Sequence, residues 1–232
     1  MEQPQETIFF SIAVVRLDEL RAAAIVDNES AELDRAYLPL GVTRVTTWIQ
    51  RHPPYLTVLW EGRNLLDAVK QTAVSDDPHF SRWRGLTRIY AGPDSADAFW
   101  EATRHRIFAW SSGECGRDRQ ARVLHGTSSI AEYLKFVQDV QNDAQLLAEF
   151  DQLRTSQGFT RSELWHQSTG DQDVVISYWE AHDMAAAIAK VEERTSELDE
   201  RILRIRRSAL GKGALSEDLP EIVLDWQARL DA

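Results

Sequence analysis

Two stretches of the chain alternate between polar and apolar residues and also resemble each other. Gly41 to Gln50 and Gly158 to Gln167 share glycine, threonine, arginine, tryptophan and glutamine at matching places, at an offset of 158 − 41 = 117 residues. Farther on, Glu61 matches Glu180 at an offset of 180 − 61 = 119. Similarity at a fixed period indicates a repeated structural unit. The pattern therefore predicts a tandem duplication, with two additional residues in the second copy.

Each matched stretch predicts the first strand of a β-hairpin, because alternation over several residues is typical of a half-buried strand. Polar loops, Arg51 to Pro54 and Ser168 to Asp173, separate the two strands of each hairpin. The two additional residues are expected to lie in the second loop. One register then explains both copies, with the arginine of each opposite the matched glutamate: Arg44 with Glu61, and Arg161 with Glu180.

The remaining segments follow the same order in both copies. The first strands are predicted at Thr7 to Val15 and Ala121 to Gly126, followed by helices over Leu17 to Leu38 and from Ile130 up to Gly158. After the hairpins we expect short helices, last strands and helical tails: Leu65 to Gln71, Leu86 to Tyr90 and Asp97 to Trp110, then Met184 to Glu193, Ile202 to Arg206 and Glu217 to Trp226. The order β-α-β-β-α-β predicts an α+β fold of two ferredoxin-like units.

The duplication also predicts the domain organisation. We expect a first ferredoxin-like repeat with its helical tail over residues 1–110, a polar linker over 111–120 and a second repeat over 121–232. A sheet with helices on one side leaves its other face bare, and that face must be covered. The expected architecture is therefore two antiparallel sheets packed face to face as an intramolecular α/β barrel. A homodimer of the whole chain is compatible with this architecture but not required.

Composition narrows the classes of function. The 26 basic and 37 acidic residues give a formal charge of −11, which disfavours nucleic acid as a partner. No apolar run approaches the length of a membrane span, and the acidic N-terminus lacks the apolar core of a signal peptide. Cys115 is the single cysteine, so no intrachain disulfide is possible. These features predict a cytoplasmic protein.

Three segments resemble a known superfamily. They are Thr160-Arg161 through Trp165-His166-Gln167, the strand Tyr178 to Ala181, and the segment Ser75 to Trp83. They are similar to motifs of small bacterial proteins in the dimeric α/β-barrel superfamily, which includes antibiotic-biosynthesis monooxygenases, cofactor-free polyketide cyclases and haem-binding enzymes. The pattern has leucine where this chain has His166. The resemblance supports the fold more strongly than any one reaction.

The resemblance implies an enzyme that acts without metal on a planar or polyketide-like substrate by acid/base chemistry, as a cyclase, isomerase or monooxygenase. No organic cofactor is expected on this interpretation. Two alternatives stay open. One is a haem-binding enzyme or carrier whose axial ligand is a histidine: His79, His125, His166 or His182. The other is a non-catalytic ligand-binding or scaffold protein.

One face of the hairpins differs between the copies. In the first copy it carries bulky residues that predict a packed core: Val45, Thr47, Ile49, Leu56, Val58 and Trp60. In the second copy Ser162, Ser177 and His166 replace part of that bulk, which predicts a hollow beside Trp179. His166 is the candidate base, because imidazole suits proton transfer near neutral pH. The alternative is that His166 is simply a half-exposed residue at the end of a strand.

The other face of the hairpins is polar in both copies. In the second copy it carries Arg161, Glu163, Trp165, Gln167, Tyr178 and Glu180. Opposite charges across strands usually support a sheet, so the arginine and glutamate pairs are expected to be structural. Tyr178 and Glu163 are candidates to assist His166, and the substrate-binding candidates are Ser162, Ser177, Trp179, Trp165 and Arg161. No metal site is expected, because Glu163 and His166 point to opposite faces of one strand.

Overall fold

The fold is known from a computed structural model, which describes residues 6–25, 30–124, 127–169, 172–193, 196–210 and 219–228. The first part of the chain forms β1 (Glu6–Ala13), α1 (Leu17–Ile25), α2 (Ser30–Tyr37), β2 (Val42–Gln50), β3 (Tyr55–Gly62), α3 (Leu65–Val74), α4 (Pro78–Ala91), α5 (Pro93–Glu101) and β4 (Thr103–Ser111). The second part forms β5 (Asp118–Leu124), α6 (Thr127–Asn142), α7 (Ala144–Gln157), β6 (Phe159–Thr169), β7 (Gln172–Ala181), α8 (Met184–Glu192), α9 (Glu197–Leu210) and β8 (Glu221–Gln227).

The strands form two four-stranded sheets. The order is β1-β3-β2-β8 in one sheet and β4-β6-β7-β5 in the other. The pairings of β3 with β1 and β2, of β2 with β8, and of β7 with β5 and β6 are antiparallel. Each part of the chain thus has the predicted order of strands and helices, and the α+β fold class is confirmed. The last strand of each part, however, joins the sheet formed by the other part.

By their contacts the residues divide into two compact units. The first unit contains residues 1–104 and 221–232, and the second unit contains residues 105–220. These bounds differ from the sequence repeats expected at 1–110 and 121–232, because each final strand is counted with the sheet that it completes. Residues 112–117 connect β4 to β5 inside the expected linker. The face-to-face packing of the sheets stays a prediction.

The predicted registers of both hairpins are confirmed. Between β2 and β3, and between β6 and β7, the expected residues lie opposite each other: Arg44 and Glu61, Trp48 and Thr57, Arg161 and Glu180, Trp165 and Ile176. Both ladders also have an irregularity at the same place, between Val42 and Arg44 and between Phe159 and Arg161. The expected position of the two additional residues is wrong. The second ladder continues to Thr169 opposite Gln172, so these residues lengthen the strands.

The same local structural features, a glycine before the hairpin and a carboxylate at a helix start, recur in the two parts of the chain. Gly41 and Gly158, which precede the hairpins, have φ angles of 77° and 88°, a conformation that favours glycine at a helix end. A Cβ at Gly41 would lie 2.8 Å from the Arg63 carbonyl oxygen. At the start of α3 and of α8, a carboxylate from the neighbouring edge strand accepts a free backbone N–H at 2.9 Å: Glu6 from Leu65, and Asp118 from Met184.

The positions predicted for the last strands are wrong. Leu86 to Tyr90 lie in α4, and Ile202 to Arg206 lie in α9. The Asp77 carboxylate accepts the backbone N–H of His79 at 2.8 Å, which caps the first turn of α4. In α9 acidic residues occupy the first turn, where they interact favourably with the helix dipole. These terminal signals outweigh the short alternating pattern within each segment.

The segments expected as helical tails instead contain the final strands. Residues 97–101 belong to α5, but residues 103–111 form β4. Of the second expected tail, residues 221–226 lie in β8, and residues 217 and 218 lie outside the described residues. Phe108 and Trp110 on β4 are buried, as are Leu224 and Trp226 on β8. Within the described ranges, no helix has the length and apolar character needed to cross a membrane.

Candidate functional site

The first unit contains a cavity of about 40 Å³ between its sheet and helices α2 to α5, which we call the aromatic cavity. Seven aromatic side chains contribute to its walls: Phe10, Tyr37, Trp60, Phe80, Trp83, Phe99 and Trp100. Trp83 and Trp100 are partly exposed, whereas the other five are buried. The two tryptophans therefore lie where the aromatic wall meets solvent.

Tyr37 connects the wall of the aromatic cavity to a buried histidine. Its hydroxyl lies 3.2 Å from His79 Nε2, and either atom can donate in this hydrogen bond. Tyr37 ends α2, and His79 lies in the first turn of α4, whose start is fixed by Asp77. Burial raises the pKa of the Tyr37 phenol above its ordinary value of 10.0. The phenol is therefore neutral near pH 7 and can pass its proton to a neutral imidazole.

Trp60, which lies in the wall of the aromatic cavity, has a buried polar atom. Its side chain is 3% exposed, and among the described residues its indole N–H has no hydrogen-bond partner. The nearest aromatic neighbours pack edge-on, with centroid distances of 4.9 Å to Phe10 and 5.5 Å to Tyr37. A buried donor without an acceptor is unfavourable. An oxygen atom of a ligand in the cavity would satisfy it.

The corresponding space of the second unit is nearly filled. A cavity of only about 10 Å³ lies beside Ser162 and Arg154. Arg154 matches Tyr37, since 154 − 117 = 37, and its buried guanidinium lies 5.0 Å from the ring centroid of Phe150. The sequence comparison predicted a core in the first copy and a hollow in the second. Beside Ser162 the cavity is smaller than the aromatic cavity, whereas a larger space lies beside His166.

A buried chain of polar groups holds Arg154 in place. Its Nη1 donates to Gln157 Oε1 at 2.9 Å, and Gln157 Nε2 donates to Asp199 Oδ1 at 2.6 Å. Arg154, Gln157 and Asp199 are all at most 3% exposed. Charged groups at this depth are stable only when they are paired and hydrogen-bonded. The position that holds a cavity-lining tyrosine in the first unit thus holds an internally packed arginine in the second unit.

His166 lies beside a different space, a solvent-facing cleft of about 390 Å³. Its Nε2 is 3.2 Å from Asp173 Oδ1, and its ring meets the ring of His105 edge-on with centroids 4.9 Å apart. Gln138 and Gln141 add amides to the wall of the cleft. A carboxylate that holds an imidazole is an arrangement compatible with a general base. The candidate base is therefore accessible, as its predicted role requires.

Tyr178, Glu163, Trp165 and Arg161 form a hydrogen-bonded network on the other face of β6 and β7. Arg161 donates to Glu163 Oε1 at 2.7 Å and 2.9 Å, and to Glu180 Oε1 at 3.1 Å. Trp165 donates to Glu163 at 2.7 Å, and Tyr178 donates to Glu180 at 2.6 Å. Burial alone would lower the pKa of Arg161, but the Glu163 charge and hydrogen bonds raise it. The network supports the structural role expected for Arg161 and Glu180.

The structure does not bring the predicted catalytic residues together. His166 lies opposite Val175 on the helix-facing side of the second sheet, whereas Glu163 lies opposite Tyr178 on the other side. Ser162, Ser177 and Trp179 are buried on the same side as His166. In the first unit Arg44 Nη2 also contacts Asp225 Oδ2 on β8, at 2.8 Å.

The histidines considered as haem ligands have different environments. His79 is buried against Tyr37, and His182 Nε2 lies 2.9 Å from Glu114 Oε2. His125 lies outside the described residues. Across the described ranges, no group of three or more His, Cys, Asp or Glu side chains is arranged to hold a metal ion. The pairing of Tyr37 with His79 was not predicted from the sequence, although Asp77 followed by Pro78 signals the helix start that positions His79.

Two solved structures share the fold of this chain over nearly its whole length. An anthrone oxidase-like protein is 14% identical, with a TM-score of 0.54 and coverage of 97% of both chains. A candidate monooxygenase from Fusobacterium nucleatum is 7% identical, with a TM-score of 0.50 and coverage of 98% of this chain and 96% of the other. No family model and no curated protein matches the chain. The fold implied by the sequence resemblance is thus confirmed.

Proposed function

We propose that this protein is a small-molecule enzyme that uses acid/base chemistry on a planar aromatic or polyketide-like substrate bound in the aromatic cavity. The observation that carries the proposal is a wall of seven aromatic side chains with the hydrogen-bonded pair Tyr37 and His79 behind it. Aromatic walls favour a flat ring, which can stack or meet their edges. A mainly apolar pocket with a few polar groups is the usual form of a small-molecule site.

Substrate entry requires the mouth of the cavity to open. The volume of about 40 Å³ is well below the roughly 150 Å³ of an apolar cavity that holds benzene. Trp83 on α4 and Trp100 on α5 are the partly exposed aromatic residues of the wall, so we propose that the mouth opens by movement of these side chains. Replacing Trp100 with alanine should therefore strengthen binding of a ring compound and speed its entry.

The proposed proton transfer uses Tyr37 and His79 in sequence. The Tyr37 oxygen accepts an acidic C–H proton of the substrate while its own proton moves to His79 Nε2. A free phenolate at Tyr37 is disfavoured, because burial raises its pKa, so the imidazole must take the charge. The substrate carbanion then cyclises, isomerises or reacts with dioxygen. His79 is the proposed base, acting without a metal or organic cofactor.

His166 remains a second candidate base, in the cleft that it shares with His105. Asp173 Oδ1, 3.2 Å from Nε2, would hold the imidazole in one orientation. Its cleft lacks the aromatic wall, which is why the aromatic cavity is preferred for a planar substrate. The two histidines lie in different units, so single substitutions separate their roles.

The test compares His79→Gln with His166→Gln. Anthrone is a suitable probe, because it is flat, has an acidic methylene and is named in the description of one fold relative. Its oxidation consumes one dioxygen and gives anthraquinone and one water, which can be followed by absorbance. We expect His79→Gln to lower kcat by about 100-fold or more, the usual contribution of a general base, and His166→Gln to change it less than about twofold.

If only His166→Gln lowers kcat, the site lies in the second unit. If neither variant lowers kcat, the acid/base proposal is wrong. Two controls address the alternatives. Turnover should survive treatment with a chelator. The purified protein titrated with haemin should show no Soret band of a bound haem.

A further inference from the structure

We infer that Trp60 selects a substrate with a ring oxygen, a ketone or phenolate that accepts the indole N–H. The inference rests on the proposed function, because it assigns the substrate class of the same cavity. Trp60 lines the cavity, is 3% exposed and has no hydrogen-bond partner for Nε1 among the described residues. A purely hydrocarbon ligand would leave that donor unsatisfied. An oxygen-bearing ligand would remove the penalty.

Three hydroxyl groups of the wall are already hydrogen-bonded inside the protein. Thr72 donates to the Ala68 carbonyl at 2.7 Å, and Thr87 donates to the Trp83 carbonyl at 3.1 Å. Tyr37 is hydrogen-bonded to His79. The indole of Trp60 is a buried donor that a ligand can engage without breaking one of these bonds.

The neighbours of Trp60 in the sheet explain why its donor is available. Trp60 lies on β3, directly opposite Ile8 on one side and Val45 on the other, and neither side chain can accept a hydrogen bond. The matching residue of the second unit is Trp179, since 179 − 119 = 60. Trp179 lies opposite Gln120 and Ser162, which are polar. The two strand neighbours of Trp60 therefore offer its indole N–H no acceptor.

The position also makes Trp60 a rigid anchor. β3 is paired on both sides, by β1 and by β2, so its backbone is fixed by two ladders of hydrogen bonds. The edge-on contacts with Phe10 and Tyr37 restrict the indole ring. A fixed donor loses little conformational entropy when a ligand binds, which favours discrimination by a single hydrogen bond.

The experiment compares 1-tetralone with tetralin, which have the same bicyclic frame and differ by the ketone oxygen. Binding to the wild-type protein is measured by quenching of tryptophan fluorescence. We expect 1-tetralone to bind roughly fivefold to tenfold more tightly than tetralin, as one buried hydrogen bond provides. In Trp60→Phe, which keeps an aromatic ring but removes the N–H, the two ligands should bind equally. Trp179→Phe is the matched control and should keep the preference.

The outcomes separate the inference from the proposed function. If both compounds bind the wild-type protein with equal affinity, or if Trp60→Phe keeps the preference, the inference is overturned while the aromatic cavity remains a ring-binding site. If neither compound binds the wild-type protein, the proposed function fails and the inference fails with it. Thermal unfolding of each variant establishes that any loss of binding occurs in a folded chain.

Discussion

Tyr37 and His79 are hydrogen-bonded at 3.2 Å although 42 residues separate them in the chain, so this one contact ties α2 to α4 behind the aromatic cavity. The pair should therefore show a coupling free energy of about 1 kcal/mol. A double-mutant cycle with Tyr37→Phe and His79→Phe, followed by denaturant unfolding, measures it. Pairing Tyr37→Phe with His182→Gln, a substitution at an exposed site, should give a coupling near zero.

The buried phenol of Tyr37 should make the protein sensitive to alkali. Its pKa is raised in the folded state, so folding holds a proton that the unfolded chain releases above about pH 10. Below that pH both states are neutral at this site and stability does not depend on it. Above it, stability should fall by up to about 1.4 kcal/mol per pH unit.

Chemical unfolding at a series of alkaline pH values tests this expectation. The stability of Tyr37→Phe should decline less steeply than that of the wild type. Tyr55, whose pKa is also raised by burial, is present in both proteins and cancels in the comparison. Parallel slopes for the two proteins would contradict the assignment to Tyr37.

Arg154 should be important for stability and not for ligand binding. Arg154→Leu removes the group that donates to Gln157, and it removes a positive charge from the buried chain that ends at Asp199. The free energy of unfolding should therefore fall by about 3 kcal/mol. Arg51→Leu, which breaks only an exposed pair with Asp18, should cost less than about 1 kcal/mol. Unchanged 1-tetralone binding by the Arg154 variant is expected, because the aromatic cavity lies in the first unit.

Two matching tryptophan hydrogen bonds, one in each unit, should contribute equally to the free energy of unfolding. Trp226 donates to Asp34 at 2.9 Å and Trp110 donates to Asp151 at 2.8 Å, and the aspartates match, since 151 − 117 = 34. Trp226→Phe and Trp110→Phe should each lower the free energy of unfolding by about 1 to 2 kcal/mol. Costs that differ by more than about twofold would show that the two bonds are not equivalent. Urea unfolding of each variant provides the measurement.

The hairpins could be predicted from the sequence because the residue patterns that define them lie close together in the chain. Alternation sets which residues share a face, and the matched blocks set the register, so the pairing of Arg161 with Glu180 followed directly. The final strands were missed because β4 and β8 lie at sheet edges and pair with residues far away in sequence. Their short alternating patterns resemble helical tails when the partner strand is unknown.

The position of the cavity could not be predicted from the strands alone. Serine at position 162 suggests more space than valine at position 45, but helices supply the residues that fill the space. In the second unit Arg154 reaches under the sheet from α7, whereas in the first unit Tyr37 at the end of α2 leaves room. The volume beneath a sheet depends on both layers, and the helix layer meets the strands only through tertiary packing.

The exchange of final strands makes the aromatic cavity depend on a segment that is synthesised long after its other walls. Leu224 lines the cavity, and the Trp226 ring lies 5.5 Å from the Tyr37 ring, so β8 supplies part of a site whose other walls come from residues 10–100. A ribosome that has made only the first 220 residues carries a chain whose first sheet still lacks an edge. The complete cavity therefore forms only after translation has passed β8.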